Sequence, residues 1–250
     1  MGFPVSLIIG GDDTAAMRAV DRAFAVLDAA DARFSRFRPD SELSLLSRGE
    51  LEETTMSADM LEVLGRAEQY RVMSGGAFDV RHDGGLDTDG IVKGWAVQRA
   101  AETLRDAGVS DFCLNAGGDV VVAGRPEPGR PWHAAIRSPW HPTTIAAVVA
   151  LGDGSDASGR RAIATSGRYE RGEHLIDARD GSSADGFASV SVLHGSLTVA
   201  DVAATAVFAL GASGPAWAAE TLGCAVVTID RGGVLDVVGD VTWAHGDRTM

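Results

Sequence analysis

The run DFCLNAGGDVVVAG, Asp111 to Gly124, is two apolar stretches on either side of a glycine pair. A glycine pair supplies the backbone freedom of a tight turn, so the run reads as two strands joined by a β-turn. Strands joined that tightly run antiparallel. Outward from this hairpin, PVSLIIG (Pro4 to Gly10) reads as a first strand. AFDV (Ala77 to Val80) reads as a short one, and PWHAAIRSP and TTIAAVVAL, joined by WHPT, as two more. RAIATSG, EHLIDARDG and FASVSVLHG are strand-like with turn punctuation, and CAVVTIDRGGVLDVVG reads as a closing hairpin with a DRGG turn.

Helical spacing dominates the two ends. Met17, Val20, Phe24 and Leu27 form an apolar stripe after DDT, and Ser41 is placed to cap a short helix. Ser57 starts a second long helix with the stripe Leu61, Leu64 and Ala67, and Gly75 ends it. In GWAVQRAAETLRDAGV, residues Ala96, Val97, Ala100, Ala101 and Leu104 share one face, which predicts a helix starting at Lys93-Gly94 with Gly108 at its end. TVADVAATAVFALG is apolar nearly all round and is therefore a buried helix; GPAWAAETLG is another. Helices early and late with strands between predict an α+β or mixed α/β fold: a largely antiparallel central sheet flanked by helices. No linker or internal repeat divides the chain, so one domain over residues 1–250 is expected.

The chain has 250 residues and a formal net charge of −13, with no basic cluster longer than Arg160-Arg161. That argues against nucleic acid as a partner and leaves room for a small anionic ligand held by a single lysine. Cys113 and Cys224 sit in apolar strand-like runs and read as two buried thiols. The N-terminus lacks a basic segment and a long apolar run, and no apolar stretch is expected to span a membrane. A cytoplasmic location is expected, and a leader removed earlier is compatible with it.

Two segments place charge where packing alone would not. LDTDGIVKGWAV (Leu86 to Val97) sets Lys93 just after Asp87 and Asp89, at a predicted helix start. In the buried helix, Asp201 and Thr205 stand one turn apart on one face. This is either a cap or dipole partner, or an oxygen-ligand site suited to Mg²⁺. The glycine pair in NAGGDV could admit a ligand close to the backbone, although a plain turn accounts for it. His174 stands out among six histidines only through its neighbours ATSG and ID. No P-loop, GxGxxG or GxSxG pattern is present.

Taken in order, MGFPV, FSRFRPDSELSLLS, SGGAFDV, LDTDGIVKGWAV, NAGGDVVVAG, ATSGRYE, HLIDARDG and ADVAATAVFALG resemble the FAD:protein FMN transferases, the ApbE family. The resemblance covers nearly the whole chain. It implies FAD as substrate, Mg²⁺ as cofactor and a partner protein whose threonine or serine hydroxyl accepts FMN while AMP leaves. It also implies roles. Asp201 and Thr205, with the Gly90 carbonyl, correspond to Mg²⁺ ligands. Met1, Phe37, Ala77, Phe78, Asp79, Asp87 and Lys93 correspond to FAD contacts, with Lys93 near the diphosphate. Lys93, Asp201 and His174 correspond to the catalytic set, His174 acting in the transfer. Two alternatives use the same residues: an FAD diphosphatase, or an FAD-binding protein without turnover. Asp89 departs from the family's small residue, and Ala178 replaces its proline.

Overall fold

A computed structural model describes residues 2–10, 14–82, 85–141, 143–152, 159–167, 179 and 186–244. Its centre is a seven-stranded sheet. The strands are β1 (Val5–Ile9), β4 (Phe112–Ala116), β5 (Asp119–Ala123), β8 (Ala162–Gly167), β9 (Phe187–His194), β10 (Ala225–Asp230) and β11 (Leu235–Val238), side by side in that order. Every neighbouring pair is antiparallel. The turn between β4 and β5 is Gly117-Gly118, with φ of 62° and 101°, values that penalise any side chain.

Both faces of the sheet are covered, by different layers. Val121, Ala123, Ala164, Val190 and Val192 face a core shared with the helices. Their neighbours Val120, Val122, Ile163 and Leu193 face a second core under the hairpin β6 (Trp132–Arg137) and β7 (Ile145–Leu151). Period-two alternation explains why these strands are apolar throughout: each side of the strand meets a different layer. The expected antiparallel sheet is present, but helices cover one face and a hairpin the other.

The helical layer contains α1 (Thr14–Phe34), α2 (Glu42–Ser47), α3 (Ala58–Met73), α4 (Asp89–Asp106), α5 (Leu197–Leu210) and α6 (Gly214–Leu222). The caps Ser41 and Ser57 behave as expected, their hydroxyls accepting from Ser44 N–H (3.1 Å) and Met60 N–H (3.2 Å). The stripes of α1 and α3 are rotated from the sequence reading. In α1 the buried line is Ala16, Ala19, Ala23, Leu27, Ala30 and Phe34, while Met17 is 62% exposed. In α3 it is Met60, Val63, Ala67 and Tyr70, with Leu61 facing outward. Small alanines let α1 lie close on α4, where Phe34 meets Trp95 edge-on at 5.5 Å. The AFDV strand does not form: Ala77 and Phe78 are a bend held by Phe78 N–H on Ser74 Oγ (3.0 Å), and the local strand pair is β2 (Arg81–His82) with β3 (Gly85–Leu86).

The helical run Leu197–Leu222 is long and apolar enough to cross a membrane by length and composition, contrary to the sequence expectation. In the fold it is interrupted at Gly211 by a 3₁₀ turn, and 67% of its most apolar window is buried against the protein. Its apolarity is therefore accounted for by the core.

Helix α4 packs antiparallel along α5, and Gly94 is their point of closest approach. A Cβ at Gly94 would fall 2.6 Å from Asp201 Cβ and 2.8 Å from the Leu197 carbonyl oxygen. Gly94→Ala is expected to destabilise the fold by about 1–3 kcal/mol through overpacking. Gly65→Ala, in α3 with nothing near its would-be Cβ, should instead stabilise by about 0.5–1 kcal/mol. Urea unfolding of the two variants checks the contrast; equal effects would refute it.

Candidate functional site

The site grows from the α4–α5 contact. Gly94 N–H donates to Asp201 Oδ2 at 2.7 Å, and Thr198 Oγ1 lies 3.5 Å from the Gly94 carbonyl oxygen. One turn before Gly94, the would-be Cβ of Gly90 lies 3.6 Å from Thr205 Oγ1 and 3.2 Å from Phe78 Cε2. Gly90, Asp201 and Thr205 are thus brought together: Asp201 and Thr205 as their i, i+4 spacing expects, Gly90 as the resemblance implies. Asp201 accepts an N–H from the interior of α4, one that regular i→i−4 geometry directs at the Gly90 carbonyl, so this bond is a contact between helices and not a cap. Thr205 Oγ1 donates to the Asp201 carbonyl at 3.3 Å.

Lys93 completes the cluster. Its Nζ is 2.6 Å from Asp119 Oδ2 and 3.8 Å from Asp201 Oδ1. Asp119 is 1% exposed and Asp201 4%, so both carboxylates need their partners to stay charged. The other oxygen of Asp119 accepts Thr165 N–H at 3.0 Å, and Thr165 Oγ1 is 2.8 Å from Ser191 Oγ. Asp119 is a site residue that sequence reading passed over as part of a turn. Its signal was a carboxylate directly after a glycine pair, at the first position of a wholly buried strand.

Asp87 and Asp89 form a second charged group at the rim. Arg36 donates to Asp87 Oδ2 and Asp89 Oδ2, each at 2.8 Å, and Asp89 N–H donates to Asp87 Oδ1 at 2.9 Å. The extra carboxylate at Asp89 is thereby explained as half of an arginine clamp. Helix α4 starts at Asp89, one turn earlier than expected. Asp89 N–H has Asp87 as its acceptor, and Ile91 and Val92 donate to the Thr88 carbonyl. At this helix start the N–H groups of Asp89, Ile91 and Val92 are thus taken within the chain.

Lys93, Arg36 and Asp89 lie at the edge of a cleft of about 1320 Å³. Its walls include Ser6 and Ile8 of β1, Cys113 and Asn115 of β4, His133 and Arg137 of β6, and Phe37, which is 91% exposed. Drug-sized ligands occupy about 300–1,000 Å³, so this cleft is large enough for a dinucleotide. Phe78 is buried against Gly90 and edge-on to Tyr70 at 6.3 Å, and neither it nor the buried Ala77 lines the cleft. Asp79 Oδ1 accepts Arg81 N–H at 2.8 Å. Met1, His174 and Ala178 lie outside the described residues. The chain just after them returns to this region: Arg179 Cγ is 3.6 Å from the would-be Cβ of Gly76.

Among the described residues no group of three or more His, Cys, Asp or Glu could hold a metal ion. A cation here would need mixed oxygen donors: the Asp201 carboxylate, the Thr205 hydroxyl and the Gly90 carbonyl. That hard, carboxylate-poor set suits Mg²⁺, which commonly takes one or two carboxylates and fills the rest with water and phosphate.

Both cysteines are free thiols. Burial pushes Cys113 up to about 11 and Cys224 up to about 12, because a thiolate is poorly solvated there. Each thiol therefore stays protonated at neutral pH. Its raised folded pKa contributes stability at neutral pH that is lost as pH rises from about 9, the unperturbed value, through 11 to 12. Iodoacetamide labelling of Cys113 should accelerate about tenfold per pH unit between pH 8 and 10, as the thiolate fraction grows. A cleft-filling ligand should protect Cys113 and leave Cys224 unchanged. Fast labelling at pH 7 would contradict this.

Comparison with known proteins gives a consistent picture. The model of the ApbE family matches residues 1–84 and 80–228. A Rhodobacter capsulatus FAD:protein FMN transferase is 39% identical over 134 residues, 50% of this chain and 24% of that protein. The Vibrio cholerae protein of the same name is 31% identical over 136 residues, 50% of this chain and 39% of that one. The chain thus matches well under half the length of these relatives. Among solved structures, the flavin transferase ApbE of Vibrio cholerae superposes with a TM-score of 0.76 at 23% identity, covering 97% of this chain and 94% of that one. The Thermotoga maritima ApbE protein gives 0.79 at 20% identity, covering 94% and 93%.

Proposed function

The chain belongs to the ApbE family, and from that premise we propose that it is a Mg²⁺-dependent FAD:protein FMN transferase, one domain over residues 1–250. It moves FMN from FAD to a threonine or serine hydroxyl of a partner protein and releases AMP. The observation that carries this reading is the buried cluster of Lys93, Asp119 and Asp201 at the edge of a dinucleotide-sized cleft, beside Gly90 and Thr205.

Gly90, Asp201 and Thr205 would hold the Mg²⁺. When bound, the ion neutralises charge on the diphosphate oxygens. Lys93 extends from the first turns of α4 between two fixed carboxylates and lines the cleft, where its ammonium would meet the diphosphate. Asp87 anchors Arg36 and the α4 start, so its contribution to FAD binding is to shape the rim. Phe37 offers an exposed aromatic face for a flavin or adenine ring. Phe78 backs Gly90 at the α4 start, and Ala77, buried next to it in the chain, is proposed to shape the same wall. Asp79 holds the turn into β2, and Met1 is proposed as a further contact beside the nucleotide.

The transfer needs little covalent help from the protein. The acceptor hydroxyl oxygen attacks the FMN-side phosphorus, and the bond from that phosphorus to the AMP phosphate oxygen breaks. His174 is proposed to take the hydroxyl proton, since an imidazole with pKa near ~6.5 is suited to that exchange at neutral pH. The electron pair of the broken bond leaves with AMP, and FMN remains on the acceptor through a phosphoester. Positioning and charge neutralisation supply most of the rate in such reactions.

Mass spectrometry of a flavin-free acceptor, after incubation with this protein, FAD and Mg²⁺, should show a gain equal to FMN. Lys93→Ala and Asp201→Ala should each lower transfer by about 10²–10³-fold while leaving far-UV circular dichroism unchanged. Normal turnover in both would sink the assignment. AMP release at full rate without acceptor would assign FAD hydrolysis instead.

A further inference from the structure

We propose that Asp119 is a positioning residue: it holds the Lys93 ammonium off Asp201, so that the second Asp201 oxygen can serve a divalent cation. The inference rests on the transferase reading only in taking a divalent cation as a ligand of this site.

The two carboxylates are arranged alike. Each has one oxygen fixed by a backbone N–H from another element: Asp119 Oδ1 by Thr165 at 3.0 Å, and Asp201 Oδ2 by Gly94 at 2.7 Å. Each turns its other oxygen toward the same ammonium. The distances are unequal, 2.6 Å to Asp119 Oδ2 and 3.8 Å to Asp201 Oδ1. The first is a close ion pair and the second a looser one. A lysine is a compact charge on a flexible stem, so both carboxylates are accessible to it. Its placement follows from their competition, and Asp119 is the nearer acceptor.

Remove the Asp119 charge and the balance reverses. Asp201 Oδ1 then becomes the better acceptor, and Lys93 needs to close little more than an ångström to reach it. A lysine hydrogen-bonded there contests the oxygen that a metal needs. Charge counting points the same way. Taken by themselves, these two carboxylates and one ammonium sum to −1, and a divalent cation would bring the three to +1, a match for an anionic diphosphate. With Asp119 neutral, the metal-free cluster is already balanced and its demand for a cation falls.

A plain structural ion pair behaves differently. Its loss lowers stability and has no specific link between Lys93 and metal affinity. The test is a double-mutant cycle on the full chain with Mn²⁺ as the probe, free ion being counted by electron paramagnetic resonance. Asp119→Asn should weaken Mn²⁺ binding by at least about tenfold, the usual scale for groups that support a metal ligand. In a Lys93→Met background the same substitution should cost less than about threefold, since the competitor is gone. The midpoint of thermal unfolding of Asp119→Asn should stay within about 4 °C of the parent, because Lys93 pairs again. Equal losses in both backgrounds overturn the proposal, making Asp119 a distant charge only. Unchanged binding in Asp119→Asn overturns it too, as does absence of Mn²⁺ binding by the parent. If Asp119→Asn fails to fold, Asp119→Glu carries the same comparison: a severalfold loss that disappears with Lys93→Met. FMN transfer is scored separately. A parent that binds Mn²⁺ with the expected coupling but transfers nothing refutes the function and leaves this inference standing.

Discussion

The contact between α4 and α5 at Gly94 governs the rest of the molecule. With no side chain at Gly94, the two backbones come close enough for its N–H to reach Asp201 Oδ2 at 2.7 Å. That bond lets a carboxylate remain in the core, where an unpaired one would be prohibitively costly. The same antiparallel register sets Gly90 beside Thr205, and Gln98 Oε1 on Leu197 N–H at 2.9 Å. Steps of four along both helices therefore carry the three proposed metal donors into one place. A bulkier residue at Gly94 would part the helices and separate those donors, whatever their identities.

The sheet supplies what the helices lack. Asp119 sits on β5, buried along its whole length, and Thr165 on the neighbouring central strand β8, so both are anchored in the sheet. Holding Asp119 by a strand N–H and Asp201 by a helix N–H gives the cluster two independent supports. Lys93 has 14% of its side chain exposed and lies between them with its charge toward the cleft. At the rim, by contrast, Arg36, itself exposed, pairs with the half-buried Asp87 and Asp89, and ion pairs that face solvent contribute little to stability.

Much of this was legible in the sequence, and the failures have physical causes. Strand and hairpin signals in Asp111–Gly124 and Ala225–Val238 are local, and they held. So were the caps at Ser41 and Ser57. The stripe of α1 was misplaced because large residues were weighted over alanine, whereas close helix packing selects the small ones. Asp201 with Thr205 was visible as an i, i+4 pair in an apolar helix. Asp119 was not visible, because its meaning depends on Lys93, which precedes it by 26 residues and reaches it only through the fold. Asp89 looked anomalous for the same reason: its partner, Arg36, stands 53 residues earlier. Local patterns declare elements; charge pairs across elements are set by topology.

A common charge arithmetic links the two groups. At the rim, Arg36 faces Asp87 and Asp89; inside, Lys93 faces Asp119 and Asp201. In each, two carboxylates share one cation. A dinucleotide diphosphate approaching either group meets one more carboxylate than cation among these residues, on a chain whose formal net charge is −13. Coulomb repulsion at that range is strong in a partly buried cleft and weak only where water intervenes. On the proposed reading, the cation is therefore part of the recognition of FAD as well as of the chemistry. Held by Gly90, Asp201 and Thr205, a divalent cation would offset the carboxylates that Lys93 alone does not balance.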